Sequence, residues 1–113
     1  MGSFETDEQH SNPSLKPLRV ASRREGIYEQ AKEMVSDLDG WTLLSSDDEG
    51  LALACERKGG LLGGTAKITI RVEGLEGIPS CTVHVRSETA GGLRSRDKGN
   101  VLEFIKPFHR RVC

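Results

Sequence analysis

Residues 65–72 read Thr-Ala-Lys-Ile-Thr-Ile-Arg-Val, and the fold class is predicted mainly from their alternation. Ala66, Ile68, Ile70 and Val72 lie on one side of an extended chain, while the threonine, lysine and arginine side chains lie on the other. Such strict alternation predicts a β-strand with one face in a hydrophobic core and one face in water. It indicates an antiparallel sheet that is covered on a single side, because parallel strands are usually buried on both faces.

Three further segments continue this pattern. Residues 81–86 and 51–57 also alternate, and residues 41–45 form a shorter strand ahead of them. The acidic and glycine residues of 47–50 predict a hairpin turn, and the glycine-rich residues 58–64 link the next two strands. The inward side chains are those of Leu51, Leu53, Cys55, Cys81, Val83 and Val85. The sequence therefore predicts a four-stranded antiparallel meander.

Two amphipathic helices flank these strands. Ser22 and Glu25 form a capping box, and Gly40 provides a stop for the first helix. The second helix is predicted to begin at the capping pair Asn100 and Glu103 and to kink or end near Pro107, which cannot continue the hydrogen-bond ladder. The apolar stripe of the first helix contains Ile27, Ala31, Met34, Val35 and Leu38. Apolar stripes on both helices favour packing on the same face of the sheet.

The order helix, four strands, helix predicts a single α+β domain over residues 19–113. The chain has 113 residues, which suits one domain with one core. Residues 1–18 are polar, contain two prolines and show no periodicity, so they are predicted to form a flexible N-terminal tail. Within them, Met1 to Thr6 satisfies the M-G-x-x-x-[ST] pattern, which would make Gly2 a site of N-myristoylation.

Charge is distributed unevenly along the chain. Residues 1–56 contain 5 Lys/Arg against 12 Asp/Glu, a net charge of −7, and residues 57–113 contain 11 against 5, a net charge of +6. Acidic and basic elements that pack side by side would partly neutralise each other. The alternative is an electropositive face that attracts the phosphate groups of lipid or nucleic acid.

Cysteine usage and hydropathy bound the compartment. Cys55, Cys81 and Cys113 are odd in number and lack the spacing of a disulfide framework or a zinc site. They predict a reducing compartment such as the cytoplasm. No stretch approaches the roughly 20 apolar residues of a membrane span, so we expect a soluble protein, with attachment to the periphery of a membrane as an alternative.

The residues favour binding over catalysis. His84 lies on the predicted wet face without an orienting partner, and no phosphate-binding glycine motif is present, so we predict no enzymatic activity, no cofactor and no metal. An enzyme would require a site around His84, Arg86 and Asp97. Arg94, Arg96 and Lys98 precede the free N–H groups of the last helix, and Arg71 and Arg86 extend this predicted anion site.

The favoured function is therefore a non-enzymatic binding or scaffold module that contacts an anionic lipid surface or an acidic protein partner. The scarcity of aromatic residues argues against nucleic acid, since single-strand binders stack bases on aromatic side chains. One alternative is a structural subunit whose apolar patch or open sheet edge is covered by another chain. The pair Leu61 and Leu62, between flexible glycines, either folds back on the core or forms an exposed apolar tip.

Residues 26–112 resemble the family known as domain of unknown function 1499. The resemblance rests on Trp41-Thr42-Leu43-Leu44 after the first helix, on the strand end 83–87, and on Asp97-x-Gly99-Asn100, where that family tends to show an R-S-x-S run and a D-x-G-x-N helix start. Asn100 directly follows Gly99 here, and Gly63-Gly64-Thr65 replaces an acidic pair. The family name implies no activity. The element order is also similar to the kinase-associated C-terminal domain, which binds acidic phospholipids.

Overall fold

Six antiparallel strands and two α-helices form an α+β fold in the computed structural model, which describes residues 2–58, 63–92 and 96–113. The elements in chain order are β1 Gly2–Glu5, a 3-10 turn Pro13–Leu15, β2 Leu18–Val20, α1 Arg24–Asp37, β3 Trp41–Asp47, β4 Ala52–Lys58, β5 Gly63–Gly74, β6 Cys81–Gly92 and α2 Asp97–Val112. The predicted fold class and antiparallel sheet are confirmed.

The sheet contains two more strands than predicted. Strands β3, β4, β5 and β6 form the expected meander, and β1 and β2 both pair with the outer edge of β6. Glu5 lies opposite Arg86, and Leu18 lies opposite Val83. These two strands have only four and three residues, so they are too short to show a period of two. Their position depends on the edge of β6, which is remote in sequence.

The segment predicted to be a flexible tail contains β1 and contacts β6 and α2 where the structure describes it. The Thr6 hydroxyl accepts a hydrogen bond from the Val85 backbone N–H at 3.1 Å, and the Thr6 N–H donates to the Val85 carbonyl at 2.9 Å. Leu15 and Pro17 are buried. Residues 6–17, here called the N-terminal strap, therefore run between β1 and β2. Thr6 thus ties the start of the strap to β6. Acylation of Gly2 and the division of the chain into a tail and one domain stay predictions.

The core lies between the sheet and the two helices. All the inward strand residues named above are buried, as are Ile27, Ala31, Met34 and Val35 of α1. Helix α2 adds Val101, Phe104, Ile105 and Phe108. Both helices pack on the same face of the sheet and contact each other. The alternation pattern and the helical stripe thus identified the core correctly.

Both predicted helix starts are wrong. Helix α1 begins at Arg24 after Arg23, with no side-chain cap, and Glu25 instead pairs with Arg24 at 2.7 Å. Helix α2 begins three residues before Asn100 and continues through Pro107 to Val112. Asn100 lies inside the helix and not at its cap, because its amide donates a hydrogen bond to the Ser87 hydroxyl of β6 at 3.1 Å. No helix in the described ranges is long and apolar enough to cross a membrane.

Met34→Ala is expected to lower the free energy of unfolding by about 2–4 kcal/mol, because the Met34 side chain is buried between α1 and the sheet and its removal leaves a cavity. Urea unfolding followed by circular dichroism measures this change. Glu33→Ala on the exposed face of the same helix is the control and should change stability by less than about 0.5 kcal/mol. Equal stability of the Met34 variant and the wild type would contradict the assignment of this face.

Candidate functional site

The predicted anion site does not form one basic surface. Arg71 and Arg86 lie on the exposed face of the sheet, where carboxylates accompany them. Arg71 lies 3.7 Å from Glu73, and Arg86 lies 2.9 Å from Glu88 and 3.9 Å from Glu5. Surface ion pairs of this kind partly cancel the field that an anionic surface would meet.

The other predicted residues lie elsewhere. Arg96 and Lys98 flank the start of α2, on the helix side of the sheet, and the Lys98 ammonium lies 5.6 Å from the centre of the Phe4 ring. Arg94, and the pair Leu61 and Leu62, lie outside the described residues. The four predicted cations that the structure describes therefore lie on two different faces of the sheet.

The residues proposed for an enzyme site do not converge. His84 lies on the exposed face of β6, where its Nε2 is 3.0 Å from Glu73 Oε1, and Arg86 lies on the same face. Asp97 is buried on the opposite side of the sheet. Successive side chains of a strand point to opposite faces, so no single pocket can contain all three groups.

Asp97 instead belongs to a buried polar cluster that fixes the start of α2. The hydroxyls of Ser87 and Thr89 donate to Asp97 Oδ1 at 2.7 and 2.6 Å, and the Asn100 amide donates to Ser87 Oγ. All four side chains are buried. Ser87, Asp97 and Asn100 are among the residues on which the resemblance to domain of unknown function 1499 rests, and in this fold they join β6 to α2.

A second polar cluster joins α2 to β3 and β4 on the same face of the sheet. Arg57 of β4 and the indole N–H of Trp41 both donate to the Glu103 carboxylate, with Arg57 Nη2 at 2.9 Å from Oε2. The Arg57 guanidinium, helped by Trp41, holds the pKa of Glu103 below its usual value. Glu103 raises the pKa of Arg57 in turn. This bidentate pair anchors the middle of α2.

Acidification is expected to weaken the fold through Glu103. Its folded-state pKa lies below the ordinary value of 4.5, so its stabilising contribution is present above that value and is lost as pH falls through the folded pKa. Melting temperatures measured from about pH 6 to about pH 3 should fall more steeply for the wild type than for Glu103→Gln. Glu33→Gln, which removes an exposed carboxylate from α1, should follow the wild type. Parallel curves for the Glu103 variant and the wild type would contradict this role.

The cysteines and the acidic turn supply no site in the described part of the chain. Burial raises the pKa of the Cys55 thiol to about 12 and also raises that of Cys81. Asp47 accepts a hydrogen bond from the Gly50 N–H at 3.0 Å, as expected for a turn residue. Residues 2–58, 63–92 and 96–113 contain no cluster of three or more His, Cys, Asp or Glu residues that could hold a metal ion.

A groove of about 340 Å³ runs between the N-terminal strap, the start of β2 and the second half of α2, and we call it the α2 groove. Pro13, Pro17, Leu18 and Ile105 provide its apolar surface. Pro17 and Ile105 are buried and Leu18 is half-buried, so this surface is continuous with the core. The 3-10 turn and the edge of β6 hold the strap in place, and thereby form the wall opposite α2.

Four basic side chains surround the apolar part of the α2 groove: Lys16, Lys106, His109 and Arg110. Lys106, His109 and Arg110 have the i, i+3, i+4 spacing that places them on one side of a helix. Among the residues that the structure describes, no carboxylate lines this groove and none of the four basic side chains forms an ion pair. This site could not be predicted from the sequence because its other wall lies in the segment predicted to be a tail.

No family model matches the chain, and no curated protein matches its sequence. Solved structures share its fold. They include the di-domain aromatase/cyclase BexL of the BE-7585A biosynthetic pathway, with a TM-score of 0.58 and 10% identity over 99% of this chain and 41% of that one. The chain thus spans less than half of that protein.

This chain spans a larger share of two further solved structures. Ara h 8.0201 has a TM-score of 0.57 and 10% identity over 98% of this chain and 94% of that one. The Zhui aromatase/cyclase from Streptomyces sp. R1128 has a TM-score of 0.56 and 10% identity over 97% and 85%. Identity at this level shows a shared fold alone. The resemblance to domain of unknown function 1499 stays a prediction.

These neighbours overturn the predicted function. Their fold is that of proteins named as two aromatase/cyclases and Ara h 8.0201, and the predicted basic scaffold for an anionic lipid surface or an acidic protein partner is therefore wrong. The charge count correctly found a basic C-terminal half, but the fold pairs Arg71 and Arg86 with carboxylates and separates them from Arg96 and Lys98. The predicted absence of enzymatic activity stays a prediction, because two of the neighbours are named as aromatase/cyclases.

Proposed function

We propose that this protein binds a small amphipathic organic anion in the α2 groove. The observation that carries the proposal is the combination, in one concave site, of an apolar surface and the basic residues Lys16, Lys106, His109 and Arg110, with no carboxylate among the described lining residues. The ligand is a soluble small molecule with an apolar body and an acidic group. This differs from a membrane surface, which would need a broad exposed basic face.

The apolar part of the groove suits the body of such a ligand. Its volume of about 340 Å³ lies at the lower end of the range of about 300–1,000 Å³ found for small-molecule sites. Leu18 and the Pro13 ring would lose water to the ligand, and each 100 Å² of apolar surface removed from water contributes about 2.5 kcal/mol. A body of one or two fused rings is the size that this surface can cover.

The cations supply orientation and selectivity. Lys106 and Arg110 on α2 and Lys16 on the strap face the same space from two sides, so an acidic group between them would form charge-assisted hydrogen bonds. Their intrinsic repulsion is relieved when an anion enters. A neutral ligand of the same shape would gain only the apolar contribution.

The fold of the neighbours supports a ligand-binding role, although it does not locate the site. In this chain, buried side chains of α1, α2 and the strands occupy the space between sheet and helices, Phe104 and Phe108 among them. A ligand is therefore expected beside α2 rather than beneath it. Ser14 and His109 both line the groove, but within the described residues no hydrogen bond joins them, so we propose binding without nucleophilic catalysis.

The resemblance to domain of unknown function 1499 is part of this proposal. The meeting of Ser87, Asp97 and Asn100 in one buried cluster supports it, because two separate matches in the sequence, residues 83–87 and 97–100, then serve one structural purpose. That purpose is the placement of α2, whose second half forms a wall of the groove.

A pair of fluorescent probes tests the proposal. 1-Anilinonaphthalene-8-sulfonate carries an anionic group, and N-phenyl-1-naphthylamine is its uncharged analogue. We expect the anionic probe to bind the native protein about 10-fold more tightly than the neutral one. The double variant Lys106→Gln/Arg110→Gln should weaken binding of the anionic probe about 10- to 30-fold and binding of the neutral probe by less than about 3-fold.

The matched control removes the same charge from the exposed sheet face. Lys67→Gln/Arg71→Gln should bind both probes as the wild type does. Circular dichroism and a cooperative urea transition must show that each variant is native, since partly folded states also bind the anionic probe. Equal weakening in the two double variants, or no preference for the anionic probe in the wild type, would overturn the proposed function.

A further inference from the structure

A second concave region lies on the opposite face of the sheet and is independent of the α2 groove. It has a volume of about 390 Å³, and its lining residues are Glu56, Thr65, Lys67, Thr69, Arg86, Glu88 and Ala90. We call it the sheet-face trough. A smaller depression of about 80 Å³ adjoins it and shares Thr69 and Arg86. The trough thus follows β5 and β6 across the face that no helix covers.

Small side chains create the trough. Thr65, Thr69 and Ala90 lie on this face, and Ala54 of β4 lies directly opposite Thr69. The charged side chains of Glu56, Lys67 and Glu88 lie side by side in the row between Thr65 and Thr69. Neighbouring strands are about 4.8 Å apart, so the short residues on either side of this charged row leave room for a molecule only a few atoms wide.

The strand register places opposite charges in one row. Lys67 lies directly opposite Glu56 of β4 on one side and Glu88 of β6 on the other. Arg86 closes an ion pair with Glu88 at 2.9 Å. Lys67 and Glu56 form no ion pair or side-chain hydrogen bond with any described residue. One cation and one carboxylate thus remain available side by side.

The geometry points to a small zwitterion as the ligand of the sheet-face trough, with free α-amino acids as the simplest class. The trough contains two carboxylates and two cations, so a simple anion or a simple cation meets repulsion as well as attraction. A molecule that carries an ammonium and a carboxylate close together satisfies both. Its carboxylate would accept hydrogen bonds from Lys67 and the threonine hydroxyls, and its ammonium would donate to Glu56.

Titration of the full chain with alanine and its blocked forms tests this inference by two-dimensional ¹H–¹⁵N NMR. L-Alanine should shift the amide signals of residues 65–69 and 86–90 in a saturable manner. N-Acetyl-L-alanine, which keeps only the carboxylate, and L-alaninamide, which keeps only the ammonium, should each bind about 10-fold more weakly. Glu56→Gln and Lys67→Met should each weaken L-alanine binding by about 10-fold.

Lys106→Gln, which removes a cation from the α2 groove, is the control and should bind L-alanine as the wild type does. Equal binding of the free and blocked forms would overturn the inference, as would saturable shifts confined to other parts of the chain or the absence of saturable shifts. Glu56 is half-buried and Lys67 is exposed, so we expect Glu56→Gln and Lys67→Met to leave the melting temperature unchanged. An unchanged melting temperature would show that a loss of binding is not a loss of folding. The result is independent of binding in the α2 groove.

Discussion

Phe104→Ala is expected to lower the free energy of unfolding by about 3–5 kcal/mol. The Phe104 ring is fully buried in the middle of α2, with its centre 4.9 Å from the Phe108 ring and 6.1 Å from the Trp41 ring. Its removal loses the hydrophobic transfer free energy of the ring and leaves a cavity between the helix and the sheet. Contacts between aromatic rings add about 0.5–1.5 kcal/mol beyond the buried area.

Urea unfolding followed by circular dichroism measures this loss. Leu75→Ala is the control, because Leu75 is 73% exposed in the β5–β6 turn and its truncation should cost less than about 0.5 kcal/mol. A loss below about 1 kcal/mol for the Phe104 variant would mean that the space beneath α2 is not a packed core. The α2 groove would then no longer be the expected place for a ligand.

Asp97→Ala is expected to cost about 2–4 kcal/mol, although it changes a polar residue. The substitution leaves the buried hydroxyls of Ser87 and Thr89 without their shared acceptor, and a buried polar group without a partner costs about 1–3 kcal/mol. Asp97→Asn keeps one oxygen that can accept a hydrogen bond, so we expect about half the loss. Urea midpoints of the two variants and the wild type test the order.

The same substitution should act on α2 more than on the rest of the fold. Hydrogen exchange of the α2 amides should accelerate more than exchange in β4 and β5, because the cluster fixes the start of this helix on β6. Equal stability of the Ala and Asn variants would show that the hydrogen bonds to Asp97 are not what holds the helix. A uniform change in exchange across the sheet would lead to the same conclusion.

Alternation and helical spacing were sufficient to identify the central strands and the buried stripe of α1. Ile68 and Ile70 are buried because a strand places every second side chain on one face, and this rule depends only on adjacent residues. For the same reason, Met34 and Ala31 could be assigned to the core from their spacing along α1. Local periodicity was thus enough for the α+β class and for most of the core.

Features that depend on distant partners were not accessible in this way. Strands β1 and β2 exist because β6 offers them an edge, and their own residues carry no alternation. Asn100 was assigned as a helix cap from its position, whereas the Ser87 hydroxyl draws it into α2. A preference for caps is a local rule, and a buried hydrogen bond to another strand overrides it.

The candidate site, too, combines features that were visible in the sequence with features that depend on distant parts of the chain. The count of charges correctly found a basic C-terminal half. It could not separate cations that form ion pairs, such as Arg86, from cations that form none with a described residue, such as Lys106 and Arg110. That distinction depends on the register of β5 and β6 and on the position of the strap. The spacing of Lys106, His109 and Arg110 was visible in the sequence, but its partner wall was not.

Contacts between the bound anionic probe and the protein show directly whether the probe lies in the α2 groove. Intermolecular nuclear Overhauser effects, recorded for the wild type saturated with 1-anilinonaphthalene-8-sulfonate, should link the aromatic protons of the probe to the methyl groups of Leu18 and Ile105. Both residues line the α2 groove and belong to its apolar surface. Contacts to the exposed methyl groups of Leu75 and Ile78 instead, with none to Leu18 or Ile105, would contradict the account.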